Sequence, residues 1–248
     1  MIFIRLRKLI LAGAVLATSA AAVSAAQPAL IEPKLRFAHP GLATPEVALT
    51  LDACGGQADS RILRGLVDNR IPATIFVTAK WLSRNPEGVA LLKAHPDLFE
   101  IENHGARHLA AIDAPIRVFG VKAAGSVASV TKEVEEGRKA IIAMTGRTPR
   151  WFRGATAKYT STSAALITAL HERIAGYSIA ADGGALLGEK ATARRIANAR
   201  DGDVILAHVN QPKRPAGAGV VEGMLALKAR GFRFVTLNQA MPTEHHGH

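Results

Sequence analysis

Short apolar runs alternate with helix-length segments along most of this chain, and that alternation limits the fold more than any other feature. Residues 47–51 form an apolar run that ends in Asp52 and is followed by Gly55 and Gly56. Asp59 or Ser60 is suited to cap a helix reaching about Asn69, with Ile62, Leu63, Leu66 and Val67 on one face. Residues 73–77 are a second buried run, 87–94 a helix, and 98–102 a third run leading into Asn103 and His104. A polar, glycine-rich passage over 109–125 precedes a helix over about 129–144, closed by Gly146. The second half repeats the rhythm. Strands are expected at 151–152, 174–180, 203–207 and 232–236, with helices near 161–172, 191–199 and 222–230. Short strands separated by such helices imply parallel strands joined by helical crossovers, an α/β fold in one domain.

The two ends read differently. Arg5, Arg7 and Lys8 precede an apolar stretch from Leu9, and Val23-Ser24-Ala25 has the small-x-small pattern of a cleavage site. Residues 1–25 therefore read as a signal peptide, and the protein as exported, either periplasmic or secreted. The alanines and serines after the apolar stretch are too weakly hydrophobic for a stable membrane span. Residues 26–45 hold Pro28, Pro33, Pro40 and Pro45 and read as an extended lead-in to a domain over 46–240. Residues 241–248 are a tail with His245, His246 and His248. Without residues 1–25 the chain keeps 28 basic and 20 acidic side chains, a net +8, which draws it toward anionic cell-envelope polymers. The charges are scattered and not interleaved with aromatics, so a nucleic-acid partner is not expected. Cys54 is the one cysteine, so no intrachain disulfide forms. It reads as a small buried hydrophobe rather than a nucleophile, because no histidine–asparagine partnership points to it.

Chemistry-bearing residues sit where the rhythm changes. Asp52, His104, Arg153, Asp182 and His208 each fall at or just past the carboxyl end of an expected strand. In parallel α/β sheets those ends gather on one face, where chemistry sits. His104 and His108, spaced i and i+4, would share one face of a helical turn and hold a borderline metal such as zinc. The set offers two ligating imidazoles, a carboxylate base, a separate histidine acid and an arginine to orient the carboxylate.

In order along 47–237, these residues resemble the motifs of the polysaccharide deacetylases with the NodB homology domain, carbohydrate esterase family 4. Thr50-Leu51-Asp52-Ala53 is similar to the family's Thr-Phe-Asp-Asp. Asn103 with His104-Gly105-Ala106-Arg107-His108 is similar to its His-Ser/Thr-x-x-His motif. Residues 148–153, ending in Phe152-Arg153, then Leu206-Ala207-His208 and the closing run to Leu237 follow the same pattern. The resemblance implies a distorted parallel (β/α) barrel of about seven strands and metal-dependent hydrolysis of an N-acetyl group on an acetylated glycan. It implies a divalent metal, zinc first, on His104 and His108, with Asp52 as base and His208 as acid. Arg153 would pair with Asp52, and Asp182 would support His208.

The departures from the family are specific. Ala53 stands where the family has a second aspartate, a metal ligand. Gly154-Ala155-Thr156 replaces the proline and tyrosine after the motif arginine, and Ala181-Asp182-Gly183-Gly184 is a reduced Asp-x-x-Asp-Trp. A third ligand would then be Asp52 itself, or Asp59 swinging in, and Ala53→Asp would restore the set if that side chain points at the histidines. The alternative function is a catalytically inactive glycan-binding domain of the same fold. Retention of Asp52, Arg153 and His208 together favours the enzyme. The mature chain is expected to begin at Ala26; mass spectrometry of the exported protein checks this, and an intact N-terminus in the membrane fraction would mean an anchor instead.

Overall fold

The computed structural model describes residues 27–39 and 43–242. The expected signal peptide and the three histidines of the tail lie outside the described residues. The chain runs β1 (Glu46–Ala53), α1 (Ser60–Asp68), β2 (Ala73–Val77), α2 (Ala79–Arg84), α3 (Pro86–Ala94) and β3 (Phe99–Asn103). A small antiparallel hairpin, β4 (Arg117–Val118) and β5 (Val121–Lys122), precedes α4 (Val127–Thr145) and β6 (Trp151–Phe152). Then come α5 (Ser161–Ala169), β7 (Arg173–Ile174), β8 (Ile179–Ala180), α6 (Glu189–Ala197), β9 (Asp203–His208), α7 (Ala216–Ala229), β10 (Arg233–Val235) and α8 (Leu237–Ala240).

Seven strands follow the order β7-β6-β3-β2-β1-β9-β8, with β10 alongside the first residues of β1, and every pairing in this sheet is parallel. The sheet curls into a distorted (β/α) barrel with the helices outside, the architecture the resemblance implies. Its two edge strands, β7 and β8, are consecutive in the chain, and the segment between them carries the closure. Ala175 N donates to Phe152 O at 2.9 Å on one side, and Ser178 N donates to Val204 O at 2.9 Å on the other. The strand expected over 174–180 is thus two short pieces on opposite edges.

The strict side-chain alternation of a strand decides what lies on each side of this wall. Val47, Leu49, Leu51 and Ala53 of β1 join Ile75, Val77, Ile205 and Ala207 in the apolar layer under the helices, packed on Ile62, Leu66, Val220 and Leu227. Each fully buried valine, leucine or isoleucine among these stabilises the fold by roughly 1.5–3 kcal/mol. Ala48, Phe76, Trp151, Val204 and Val235 fill the barrel interior with Leu237. Polar side chains share that interior, among them Thr50, Thr74 and Glu102, all buried.

Two helices depart from the sequence reading. α2 follows β2 directly, with Thr78 accepting from Trp81 N as its cap. α7 begins at Ala216, well before the expected 222, through a glycine-rich stretch that weakens the helical signal. Close approach explains those glycines: a Cβ on Gly219 would lie 2.2 Å from Glu189 O of the neighbouring α6. The lead-in runs over the barrel, with Ile31 bridging Tyr159 and Arg36 bridging Asp203. Among the described residues no helix is long and apolar enough to cross a membrane.

Glu102 makes the barrel interior sensitive to pH. Its Oε2 accepts from the backbone N–H groups of Arg150 and Trp151, both at 2.7 Å. Burial, with the nearby Glu100 adding to it, raises its pKa from 4.5 to about 8. The folded state therefore holds this proton where the unfolded chain has released it, and stability falls as pH rises from about 4.5 to about 8. Glu102→Gln, which keeps an acceptor for the two amides, is expected to flatten that fall in urea denaturation midpoints measured across the window.

Candidate active site

The inward-facing residues at the carboxyl ends of the strands converge as the sequence reading expects. Asp52 at the end of β1 is the register neighbour of His208 at the end of β9. His104 follows β3, Arg153 follows β6, and Asp182 lies two residues beyond β8. The structure brings all five together with His108.

Arg153 is fully buried and joins them. Its Nη1 donates to Asp52 Oδ1 at 3.0 Å and to Thr50 Oγ1 at 2.9 Å. Its Nε and Nη2 donate to Ala175 O at 3.2 Å and Gly176 O at 3.1 Å, on the segment that closes the barrel. The guanidinium lies 4.3 Å from the centroid of the Phe76 ring. Burial disfavours charge on Asp52, but His104, Arg153 and His208 outweigh it and hold the carboxyl below its usual value. The Arg153 carbonyl fixes His104: His104 Nδ1 is 2.5 Å from Arg153 O, which can only accept, so Nδ1 carries the proton. His104 Nε2 is left facing inward, 3.7 Å from Asp52 Oδ2 and 3.5 Å from Cys54 Sγ.

Asp182 does for His208 what Arg153 does for Asp52. Its carboxylate accepts from His208 N at 2.7 Å and sits 3.0 Å from His208 Nδ1, leaving the other ring nitrogen toward the site. Burial disfavours the imidazolium, but Asp182 and the neighbouring Cys54 outweigh it and raise the His208 pKa well above 6.5.

His104 and His108 do meet, with ring centroids 5.1 Å apart, but not on a helical turn. Residues 104–109 form a loop in which Gly105 and His108 take positive φ values of 86° and 66°. α4 holds that loop. Glu133 Oε1 accepts from Arg107 N at 2.8 Å and Leu109 N at 3.0 Å, the amides on either side of His108. Asn103 Oδ1 accepts from Gly105 N at 2.9 Å while its amide donates to Val134 O at 2.9 Å. Gly137, one turn beyond Glu133, lets the helix come this close: a Cβ there would lie 2.3 Å from Asn103 Oδ1. Glu133 was not singled out by the sequence; the signal was an acid on the apolar face of an otherwise amphipathic helix.

Sequence reasoning also missed Cys54. Its Sγ and the imidazole nitrogens of His104 and His108 offer three ligand atoms all within 4.8 Å of one another, a donor set that fits a divalent ion. Burial pushes the thiol pKa up, but contacts from His104, His108 and His208 pull it well below its usual value. The other routes to a third ligand fare worse. Ala53 is fully buried in the apolar layer under the helices, on the opposite face of β1 from Asp52, so Ala53→Asp would bury a carboxylate among hydrophobes and not restore a ligand. Asp59 is committed as the α1 cap, accepting from Arg61 N at 3.1 Å and pairing with the Arg61 side chain at 2.5 Å.

A family model for polysaccharide deacetylase matches residues 41–174, more than half of the chain. No curated protein sequence matches it significantly. Solved structures similar to it include the Bc1960 peptidoglycan N-acetylglucosamine deacetylase, at 19% identity and TM-score 0.69 over 85% of this chain and 92% of that one. The peptidoglycan deacetylase PdaC of Bacillus subtilis is similar at 20% identity and TM-score 0.64, covering 80% and 90%. BA3943 of Bacillus anthracis, a pseudoenzyme of carbohydrate esterase family 4, is similar at 17% identity and TM-score 0.64, covering 85% and 69%. At these identities the likeness is one of fold.

The docking of α4 on the histidine loop predicts that Gly137→Ala destabilises the protein by about 1–3 kcal/mol, the usual cost of overpacking. Urea denaturation checks this against Lys139→Ala, an exposed change on the same helix. Equal midpoints for the two variants would mean the loop tolerates displacement from α4.

Proposed function

Because the chain belongs to the polysaccharide deacetylase family, we propose that it is a metal-dependent hydrolase that removes N-acetyl groups from a glycan outside the cytoplasm. The observation that carries the reading is the buried Asp52–Arg153 pair, at 3.0 Å, set beside His104 and facing the His208–Asp182 pair. One carboxylate is held charged and one imidazole is held protonated on adjacent strands at the same rim, the arrangement that acid–base hydrolysis requires.

Asp52 Oδ1 is occupied by Arg153, so Oδ2 is the oxygen free to take a proton from the attacking water. As the water oxygen bonds to the acetyl carbon, its proton passes to Asp52. When the C–N bond breaks, the electron pair goes to the sugar nitrogen, and His208 supplies the proton that makes it a neutral leaving amine. Acetate and a free amine result. His104 and His108 would hold the divalent ion, zinc in our reading. Such an ion supplies a Lewis acid for the water and the acetyl oxygen.

Two of the similar structures are peptidoglycan deacetylases, which favours an acetylated cell-envelope glycan as substrate. The net +8 of the chain without residues 1–25 favours an anionic polymer in the same place. Periplasmic or secreted location rests on the signal-like residues 1–25. A second reading, glycan binding without hydrolysis, is favoured by the pseudoenzyme among the similar structures. A base and an acid each held by a buried partner favour catalysis, because a binding module has no use for either.

Asp52→Asn keeps an acceptor for Arg153 but not a base. It is expected to lower acetate release from an N-acetylated glycan by roughly 10²–10⁴-fold while the bound metal stays as in the wild type; the melting temperature falls, because the buried Arg153 loses its counter-charge. Acetate release across a panel of N- and O-acetylated glycans, with and without added zinc, is the assay. Wild-type protein that binds a glycan of the panel and releases no acetate from any would establish the second reading.

A further inference from the structure

We propose that Cys54 is the third metal ligand of this site, its thiolate completing a Cys–His–His set that selects thiophilic ions such as zinc and cobalt over magnesium and manganese. The proposal rests on the metal-dependent reading above and names the ion class that the site would take.

Separation of the donors is the first argument. Ligands at the zinc–sulfur and zinc–nitrogen distances of about 2.3 and 2.0–2.1 Å, held at a tetrahedral angle, stand about 3.6 Å apart. Cys54 Sγ and His104 Nε2 are 3.5 Å apart. His104 is almost wholly buried, and its Nδ1 proton is committed to Arg153 O, so the lone pair on Nε2 is aimed at the sulfur. His108 brings the third donor within the same 4.8 Å. The loop that carries it is fixed by Glu133, so the ring is presented rather than free to swing.

Chain geometry is the second argument. Cys54 lies two residues past Asp52, one full pleat, so it returns to the inner face that Ala53 leaves. Its backbone is pinned there: Thr78 Oγ1 donates to Cys54 O at 2.6 Å while the same oxygen caps α2. Asp52 Oδ2 stands 3.7 Å from His104 Nε2, but among the described residues only Cys54 joins both histidines in a set of donors within 4.8 Å of one another, and Asp59 is bound to Arg61. A thiolate carries the same formal charge as a carboxylate, so the site keeps its charge balance and changes only its hardness. On binding, the metal–sulfur bond replaces the S–H bond and the thiol proton leaves to solvent. Thiolate and imidazole donors suit zinc and cobalt, whereas magnesium and manganese prefer oxygen.

Titrating cobalt(II) into chelator-stripped wild-type protein tests the proposal, with the near-ultraviolet sulfur-to-cobalt charge-transfer band as the signal. One cobalt per chain with that band is expected, displaced by zinc and not by excess magnesium or manganese. Cys54→Ala is expected to lose the band and to bind cobalt at least roughly tenfold more weakly. Cys54→Asp, which supplies an oxygen donor instead, is expected to bind cobalt without the band and to gain affinity for manganese. Zinc is also expected to protect Cys54 of the wild type from alkylation by iodoacetamide. Cobalt bound by wild type without the band, a band that survives in Cys54→Ala, or equal alkylation with and without zinc would overturn it; the last would point to a free thiol. Acetate release, assayed separately, keeps the two readings apart. A band without hydrolysis leaves Cys54 as ligand and removes the deacetylase. Hydrolysis without a band does the reverse.

Discussion

The buried guanidinium of Arg153 is the interaction on which this structure depends. A charge that far from water is tolerated only when it is paired and hydrogen-bonded, and here each of its three nitrogens donates to a protein oxygen. Its side chain reaches Asp52, Thr50 and the carbonyls of Ala175 and Gly176, and its own carbonyl receives the Nδ1 proton of His104. One residue therefore joins the closure of the barrel, the ionisation of Asp52 and the tautomer of His104. Such pairs contribute less to net stability than to uniqueness, since losing one partner strands a charge at a cost of about 3–5 kcal/mol. The coupling means that the barrel cannot open between its edge strands without disturbing the carboxylate.

A second, independent device positions the histidine loop. α4 offers an acid, a backbone carbonyl and a glycine on one face, and each meets the loop at a different point. The loop in turn caps the neighbouring helix, because Gly105 O and Ala106 O accept from Ala79 N and Lys80 N at the start of α2. α2 begins with Thr78, which pins Cys54. The site is thus framed by a closed circuit of backbone contacts, from β1 through α2 and the loop to α4. Positive φ at His108, uncommon for any residue but glycine, is sustained by that circuit.

Much of this was legible in the sequence because it depends on order along the chain. The alternation of apolar runs and helices, and the polar residue closing each run, specify a parallel sheet with a functional rim, and Asp52, His104, Arg153, Asp182 and His208 lie on that rim. What was not legible depends on tertiary contact. The i, i+4 spacing of His104 and His108 suggests a helix, yet the structure uses a loop, because the contacts that bend it come from Glu133 and Gly137 in a distant segment. Residues 174–180 look like one strand, but Gly176 and Tyr177 cross between the two edges of the barrel. Cys54 looks inert when judged alone, and only the fold brings histidines from the 104–109 loop and from β9 to its sulfur.

The shift from Ala53 to Cys54 has a simple physical basis. Side chains of a strand alternate, so a donor on the inner face of β1 has to fall at Asp52 or at Cys54, and Ala53 belongs to the helix layer. A carboxylate at position 53 would point into the helix layer, away from the histidines. In this chain β1 runs to Ala53, because its last residue still pairs with Val77 of β2. That pairing keeps position 53 buried, and the next inward-facing place after Asp52 is position 54, where the chain has just left the sheet. A thiol suits that place better than an acid. It is small enough for a half-buried corner between Thr78 and the three imidazoles. Asp52 then remains in the company of Arg153, and the sulfur that would hold the ion and the carboxylate that would take the proton are separate residues, two apart in the chain.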